Sequence, residues 1–496
     1  VRAPFPVPGA FETIDQGGTR DWSGEFRLLS PQSGRLRGLA GVYVYDERTR
    51  DDAFTANLNL GFNRAFQVGD DPARIVRNPV FSGKVRNWAL FGQLAFDLTE
   101  TLSLSAEGRY QQDRLSVAGE SRATVGGQPF VRAITPEVTF RNFLPRFTVD
   151  WQARPDLLVY GVAAKGNKPG GFNTGVFNAF YGDSEVAQLV SQGLDTFKEE
   201  EAWSYEIGAK TQWLDQRLTL NVAAFFIDWN NQQLTQSVQI PRRDGALGSV
   251  SFTTNVGKSE VKGVEIEASA RPTSWLSVRL GYALTDARIR DFLSDDQADL
   301  FITAEDLARL EAVAPLPTYQ APGSPGYPAY LAALAAAAPA RTAAVNELIA
   351  LRGNAAGNQL PRVPRHQFST GAQVDVPLGS EVRGLLGANL ALESRRFAQV
   401  HNLVYSPDMV LVNLRGGIEW KGLSLVGFVT NAFNNRTPVD ILRYIDPQQT
   451  LLRPALRPGE ATAQVGGRNL SSTNLRDFAV SAPRLRNFGM TAIYRF

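Results

Sequence analysis

Residues 88–111 read WALFGQLAFDLTETLSLSAEGRYQ, and their period decides the fold. Successive side chains of an extended strand point to opposite faces. Trp88, Leu90, Gly92, Leu94, Phe96 and Leu98 therefore share one face, and Ala89, Phe91, Gln93, Ala95 and Asp97 share the other. After TET at 99–101, a tight turn, the alternation resumes more cleanly. Leu102, Leu104, Ala106, Gly108 and Tyr110 oppose Ser103, Ser105, Glu107, Arg109 and Gln111. One face is apolar and the other carries charge.

The same pattern recurs outward from this hairpin. Phe147, Val149 and Trp151 oppose Arg146, Thr148, Asp150 and Gln152. Trp203, Tyr205, Ile207, Ala209 and Trp213 oppose Glu206, Lys210 and Gln212, and Leu276, Val278, Leu280, Tyr282 and Leu284 oppose Ser277, Arg279 and Thr285. Strands of soluble sandwiches have a mode near 5–6 residues. These segments run for about 10 to 16, the length that crosses about 25 Å of hydrocarbon at a tilt. Connections alternate too. Short ones read SPQSG, TET, ARPD, LDQR, RPTS, PLGS and KG; long excursions lie near 48–84, 116–138, 166–196, 233–251, 288–362 and 434–483. Short periplasmic turns and long external loops are the habit of outer-membrane barrels. The expected fold is all-β: an antiparallel transmembrane β-barrel, with helices only near 303–314 and 329–351 in the longest loop.

Composition narrows function by exclusion. The 496 residues carry 51 basic and 49 acidic side chains, a formal charge of +2 that gives nucleic acid no footing as a partner. Cys is absent and only His366 and His401 are present, which removes disulfides, thiolate metal sites and cysteine nucleophiles. No apolar run reaches the ~20 residues of a membrane helix; the nearest, YLAALAAAAPA from Tyr330, is short and holds a proline. Neither a cofactor nor a metal is expected. Glu265 and Glu267 share a strand face, but alternation produces such pairs freely, and GKS at 257–259 lacks the earlier glycine of a phosphate loop, since Phe252 stands there. The chain is not read as an enzyme.

About 15 strands can be counted, from Trp22–Ser30 to Asn487–Phe496. Bacterial barrels use even numbers with both ends in the periplasm. The expectation is therefore a partial barrel over residues 22–496, with 1–21 the remnant of an extracellular loop, 288–361 a long extracellular loop, and further strands upstream. The last strand, RNFGMTAIYRF, places Phe488, Met490, Ala492, Tyr494 and Phe496 on one face. It resembles the C-terminal signal that barrel-assembly machinery binds, carried by Phe488, Tyr494 and Phe496.

At this point a family resemblance is specific. FLPRFTVDWQARPDLLVYGVAAKGNKPGGFN (143–173), EEAWSYEIGAKTQWLDQRLTLNVAAFFIDWNNQQ (200–233) and NVGKSEVKGVEIEASARPTSWLSVRLGYALTDA (255–287) are similar to successive hairpins of TonB-dependent receptor barrels, and TNAFNNRT (430–437) resembles their penultimate strand leaving the membrane. The likeness covers nearly the whole chain from Trp22, the long loops excepted. It implies a 22-stranded barrel with an N-terminal plug and TonB box, of which about 15 strands are visible here. It also implies the outer membrane of a Gram-negative bacterium, and import of a scarce nutrient, foremost an iron–siderophore complex. The implied partners are the TonB energy-coupling complex, outer-membrane lipid and a small-molecule ligand.

Charges facing an aqueous lumen are the candidates for ligand contact: Arg109, Arg146, Glu206, Lys210, Arg279, Arg383 and Arg415, with Asp150, Glu267, Asp375 and Asn389 on the same register. For most of them a solvated wall or a contact to the plug is the simpler explanation. Lys165, Asn167 and Lys168 stand at the outer mouth, where their charge could attract an anionic chelate, beside Gly166, Pro169, Gly170 and Gly171, which shape a turn. Phe172 could stack on a planar ligand or pack within its loop. Rival functions are a passive, substrate-selective channel, a barrel enzyme, and a soluble all-β adhesin that would need no detergent.

Overall fold

The computed structural model describes residues 9–59, 75–77, 80–125, 127–241, 243, 247–301, 303–315, 317–318, 320, 324–445 and 476–495. Among the described residues seventeen strands join in one antiparallel sheet. Fifteen follow one another in space in chain order: β1 (Gly9–Leu29), β2 (Leu36–Asn59), β3 (Val80–Asp97), β4 (Leu102–Val125), β5 (Glu137–Arg154), β6 (Leu157–Lys168), β7 (Glu200–Trp213), β8 (Leu218–Pro241), β9 (Leu247–Thr273), β10 (Leu276–Asp291), β11 (His366–Pro377), β12 (Val382–Glu393), β13 (Met409–Trp420), β14 (Leu423–Thr430) and β15 (Asn487–Tyr494). The other two, Ile75–Arg77 and Gln128–Ile134, extend the pairing of β2 and β4. Every strand from β2 to β14 is bonded on both sides, which hydrocarbon requires of any backbone within it.

Fourteen connections join the fifteen strands, and short and long ones alternate as expected except between β8 and β9, where only 242–246 intervene. The shortest turns show the chemistry that closes them. Between β13 and β14 stand Lys421 and Gly422 with φ of 45° and 83°, the two left-handed residues of a type I′ hairpin. A Cβ on Gly422 would lie 2.5 Å from the Arg495 carbonyl oxygen, so glycine is needed for space as well as for φ.

The two faces differ as the alternation requires. On β3, Trp88, Leu90, Leu94 and Phe96 are exposed, whereas Ala89 is buried and Phe91, Gln93 and Ala95 are half-buried. Phe143, Phe147, Val149 and Trp151 of β5 repeat the exposure, and Ile207 of β7 is 63% exposed. An apolar belt of this extent is untenable in water and is the expected surface toward lipid. Trp151, Trp213, Trp275 and Trp420 cluster at the short-turn end, also exposed. Arg154 lies 5.7 Å from the Trp213 ring and the Lys421 ammonium 5.8 Å from that of Trp420, which suits aromatics at a membrane–water boundary. Among the described residues no helix is long and apolar enough to cross a membrane.

Several boundaries differ from the sequence reading. The first strand begins at Gly9 rather than Trp22, with Gly9 opposite Asn59, so much of the expected loop over 1–21 is paired strand. The excursions expected near 116–138 and 233–251 are also continued hairpins: Gly119–Val125 pairs with Gln128–Ile134, and Pro241 stands opposite Leu247. Segments such as ESRATV and SVSFTT are polar yet rich in β-branched residues, so they continue the ladder above the lipid where no apolar face marks them. The longest connection, 292–365, holds α1 (Asp295–Phe301), α2 (Ala304–Val313) and α3 (Tyr327–Arg352). The last two match the expected helices; α1 is too short to show a period. On β15, Phe488 and Tyr494 are exposed, and Phe496 lies outside the described residues.

Replacing Leu90 by Arg, on the exposed apolar face of β3, should cost ~2–4 kcal/mol at the membrane midplane. Gln93→Arg, on the opposite face, should cost less than ~1 kcal/mol. Urea titration of the protein folded in lipid vesicles measures both, and equal costs would contradict the two-faced wall.

Candidate functional site

A basin of about 560 Å³ lies on the inner wall, built across β8 to β13. Its lining includes Asn221, Glu267, Arg279, Ser369, Thr370, Gln373, Asn389, Asn413 and Arg415. The register explains this convergence: Arg279 stands opposite Gly371, Gly371 opposite Asn389, and Asn389 opposite Asn413. Two of the expected ligand contacts, Arg279 and Arg415, thus come together with Glu267 and Asn389. Arg415 donates from Nη2 to Gln373 Oε1 at 2.7 Å. Among the described residues neither arginine has a carboxylate partner within ion-pair distance, and the Asn221 Oδ1 is buried without a hydrogen bond. The basin can therefore bind an anionic or hydrogen-bonding group presented from the lumen.

The other candidates are dispersed. Arg109 donates to Gln111 Oε1 at 2.8 Å and lies 5.3 Å from the Tyr43 ring, committed to the wall. Arg146 is exposed, opposite Glu107 on one side and Ala164 on the other. Glu206 accepts from the Tyr160 hydroxyl at 2.6 Å, and the Lys210 ammonium sits 5.4 Å from that ring. Arg383 makes a two-pronged pair with Asp375 at 3.1 and 2.6 Å, clasping the hairpin of β11 and β12.

At the mouth, Lys165 pairs with Glu201 at 2.8 Å, and Lys168 lies 3.8 Å from Glu200. Asn167 accepts from Gln111 at 3.3 Å while its own Nδ2 is buried and unbonded. Glu200, which the sequence reading passed over, holds this corner together. Its carboxylate accepts from the Gln233 amide at 2.5 Å and from Trp229 Nε1 at 3.3 Å. The glycines after Pro169 are set by space: a Cβ on Gly170 would lie 2.1 Å from the Phe197 carbonyl oxygen, and one on Gly171 would meet the Phe197 ring. That agrees with a turn-shaping role. Phe172 belongs to a two-residue ribbon with Thr196–Phe197, within a loop that buries Val176, Tyr181 and Leu189 against Val250 of β9.

The long connection 292–365 folds over an apolar patch at the upper part of the wall. Val261, Ala287, Ile289 and Phe292 pack there against Ala355 and Leu360, with Val400 from the connection after β12. Asn402 ties the two connections, accepting from the Gln359 amide at 2.7 Å and donating to its carbonyl at 2.9 Å. Higher in the loop, Asp306 caps α2 with Thr303 and takes two bonds from Arg352 of α3, at 2.9 and 3.1 Å. The Arg352 guanidinium, with help from the Thr303 amide, pushes the Asp306 carboxyl down to about 2.

A family model described as TonB dependent receptor-like, β-barrel, matches residues 8–432. The pesticin receptor of Yersinia enterocolitica is 25% identical over 241 residues, 48% of this chain and 31% of that protein. The ferric yersiniabactin uptake receptor of Yersinia pestis superposes with a TM-score of 0.61 at 15% identity, over 98% of this chain and 56% of its own. A siderophore receptor of Acinetobacter baumannii gives 0.56 at 14% identity, over 97% and 56%. The chain thus spans little more than half the length of these solved structures and under a third of the pesticin receptor's. At such identities the structures speak for the fold alone.

Because the Asp306 carboxyl is held below its ordinary 3.8, its contribution to the α2–α3 contact is present above about pH 4 and lost as pH falls through about 2. Amide-exchange protection in α3 should fall across that window. Asp306→Asn should lower protection already at neutral pH and abolish the acid step; a wild-type profile that stays flat from 4 to 2 contradicts the pairing.

Proposed function

The chain belongs to the TonB-dependent receptor family, and from that premise we propose that it forms the wall and outer mouth of an energised importer whose cargo is an iron–siderophore complex. Barrels of this family lie in the outer membrane of Gram-negative bacteria, the setting that the exposed apolar belt also demands. Members transport rather than catalyse, and no bond of the cargo need break. Cargo is captured by the outer loops, passes the arginine-bearing basin, and reaches the periplasm when TonB, driven by the inner-membrane proton gradient, acts on a plug.

The observation that carries the cargo class is the basin itself. Arg279 and Arg415 enter it without a contact ion pair among the described residues, two cations against the single carboxylate of Glu267 in the lining, and ferric chelates of deprotonated oxygen ligands are commonly anionic. Two of the solved structures that share the chain's fold are named as a ferric yersiniabactin uptake receptor and a siderophore receptor.

The test is uptake of radioactive iron, supplied as single ferric siderophores, by a strain lacking the gene and by the same strain complemented. Complementation should restore accumulation for one chelate, and an uncoupler of the proton gradient should abolish it. The double variant Arg279→Gln/Arg415→Gln should lower uptake about tenfold or more while the barrel still assembles, since hydrogen bonds to charged groups are worth ~1.5–3 kcal/mol each. Accumulation that survives the uncoupler would favour a passive channel. Equal uptake with and without the gene, for every ferric chelate tried, would remove iron from the reading.

A further inference from the structure

Beside the mouth, three outer segments meet at one carboxylate. Arg132 comes from the segment Gln128–Ile134, Arg243 from the connection between β8 and β9, and Asp183 opens the helix Asp183–Ser191. Arg243 Nη2 donates to Asp183 Oδ1 at 2.8 Å, and Arg132 Nη2 donates to the same oxygen.

The two sides of this contact are built differently. Arg132 also donates to the carbonyls of Asn178 at 3.0 Å and Tyr181 at 3.2 Å, and Arg243 Nε donates to that of Ala179 at 3.1 Å. The Arg243 guanidinium lies 4.4 Å from the Phe130 ring centroid. Their side chains keep only 16% and 20% exposure, whereas Asp183 keeps 82%. The cations are thus fixed and largely desolvated; the anion is solvated and free to leave. Carbonyl dipoles orient the guanidiniums but cannot neutralise them, so two like charges converge on one carboxylate. That pairing holds the Asp183 carboxyl below its ordinary range. A cavity of about 530 Å³ opens at the same place, lined by Phe130, Gly182, Glu185 and Arg243, with the Glu185 carboxylate taken up by the Ser184 hydroxyl at 2.7 Å.

We propose that Arg132 and Arg243 form an oxyanion site in which Asp183 is a built-in occupant, displaced when an external carboxylate or phosphate binds, and that the exchange frees the first turn of the helix Asp183–Ser191 while the carbonyls of residues 178–181 keep both guanidiniums in place. This site stands apart from the basin and does not depend on the cargo. The tethered carboxylate acts at an effective concentration of order millimolar, so only an oxyanion that gains further contacts in the cavity competes well.

The test titrates the purified protein in detergent with citrate and, separately, inorganic phosphate, so the two arms distinguish carboxylate from phosphate. Asp183→Asn should tighten binding of at least one about tenfold, and Asp183→Asn combined with Arg243→Gln should lose that gain. Glu120→Gln, the same charge change at the exposed pair with Arg122, should leave affinity unchanged. A second readout uses the wild type alone: the effective anion should speed proteolytic cleavage within 183–191. Unchanged affinity in Asp183→Asn, equal tightening in Glu120→Gln, or cleavage indifferent to both anions would overturn the proposal.

Discussion

Hydrocarbon offers no hydrogen-bond partner, so a backbone within it must satisfy every amide from its own sheet. Long antiparallel ladders are the strand solution to that demand, and the features of this chain follow from it. A ladder runs unbroken from β1 to β15, each strand lying beside its neighbour in sequence, so the sheet is assembled from hairpins and needs only short turns at one end. The pleat then sorts the side chains without further instruction. Alternate residues meet lipid, and those between them meet the interior.

That sorting gives the inner wall its chemistry. A charge placed inward costs little, and one placed outward is expensive, so arginines and carboxylates accumulate inside whether or not they bind anything. The inward groups left without a charged mate are therefore the candidates for binding. Arg109, Lys165, Glu206 and Arg383 are occupied by neighbours on the wall, whereas Arg279 and Arg415, the latter bonded to Gln373, border an open basin that Glu267 also lines. The mouth is governed by local ties of the opposite kind. Glu200, Asn402 and Asp306 each bind two parts of the chain distant in sequence, which turns the outer connections into packed structure.

Much of the wall was legible from residue alternation alone. Leu90 and Gln93 could be assigned to opposite faces because a strand has period two, and the Lys421–Gly422 turn because it is the short break between two alternating segments; its left-handed backbone came only with the structure. The strand count was reachable for the same reason. Register across strands was not: nothing in SVRLGYA or RGGIEW says that Arg279 and Arg415 border one hollow, since that depends on the stagger of three intervening ladders. The upper hairpins were misjudged as loops because above the lipid neither face has to be apolar, so the period fades although the pairing persists. Glu200 escaped notice among three consecutive glutamates; only the folded corner, with Trp229 and Gln233 converging, distinguishes it.

The length of β9 has a further bearing on how a solute finds the protein. Its 27 residues, at ~3.4 Å each, make a ribbon about 90 Å long. Inclined at about 40° and crossing about 25 Å of lipid, it stands some ~40 Å clear of the hydrocarbon on the far side. A diffusing molecule thus encounters a protein turret well above the plane of the fatty chains.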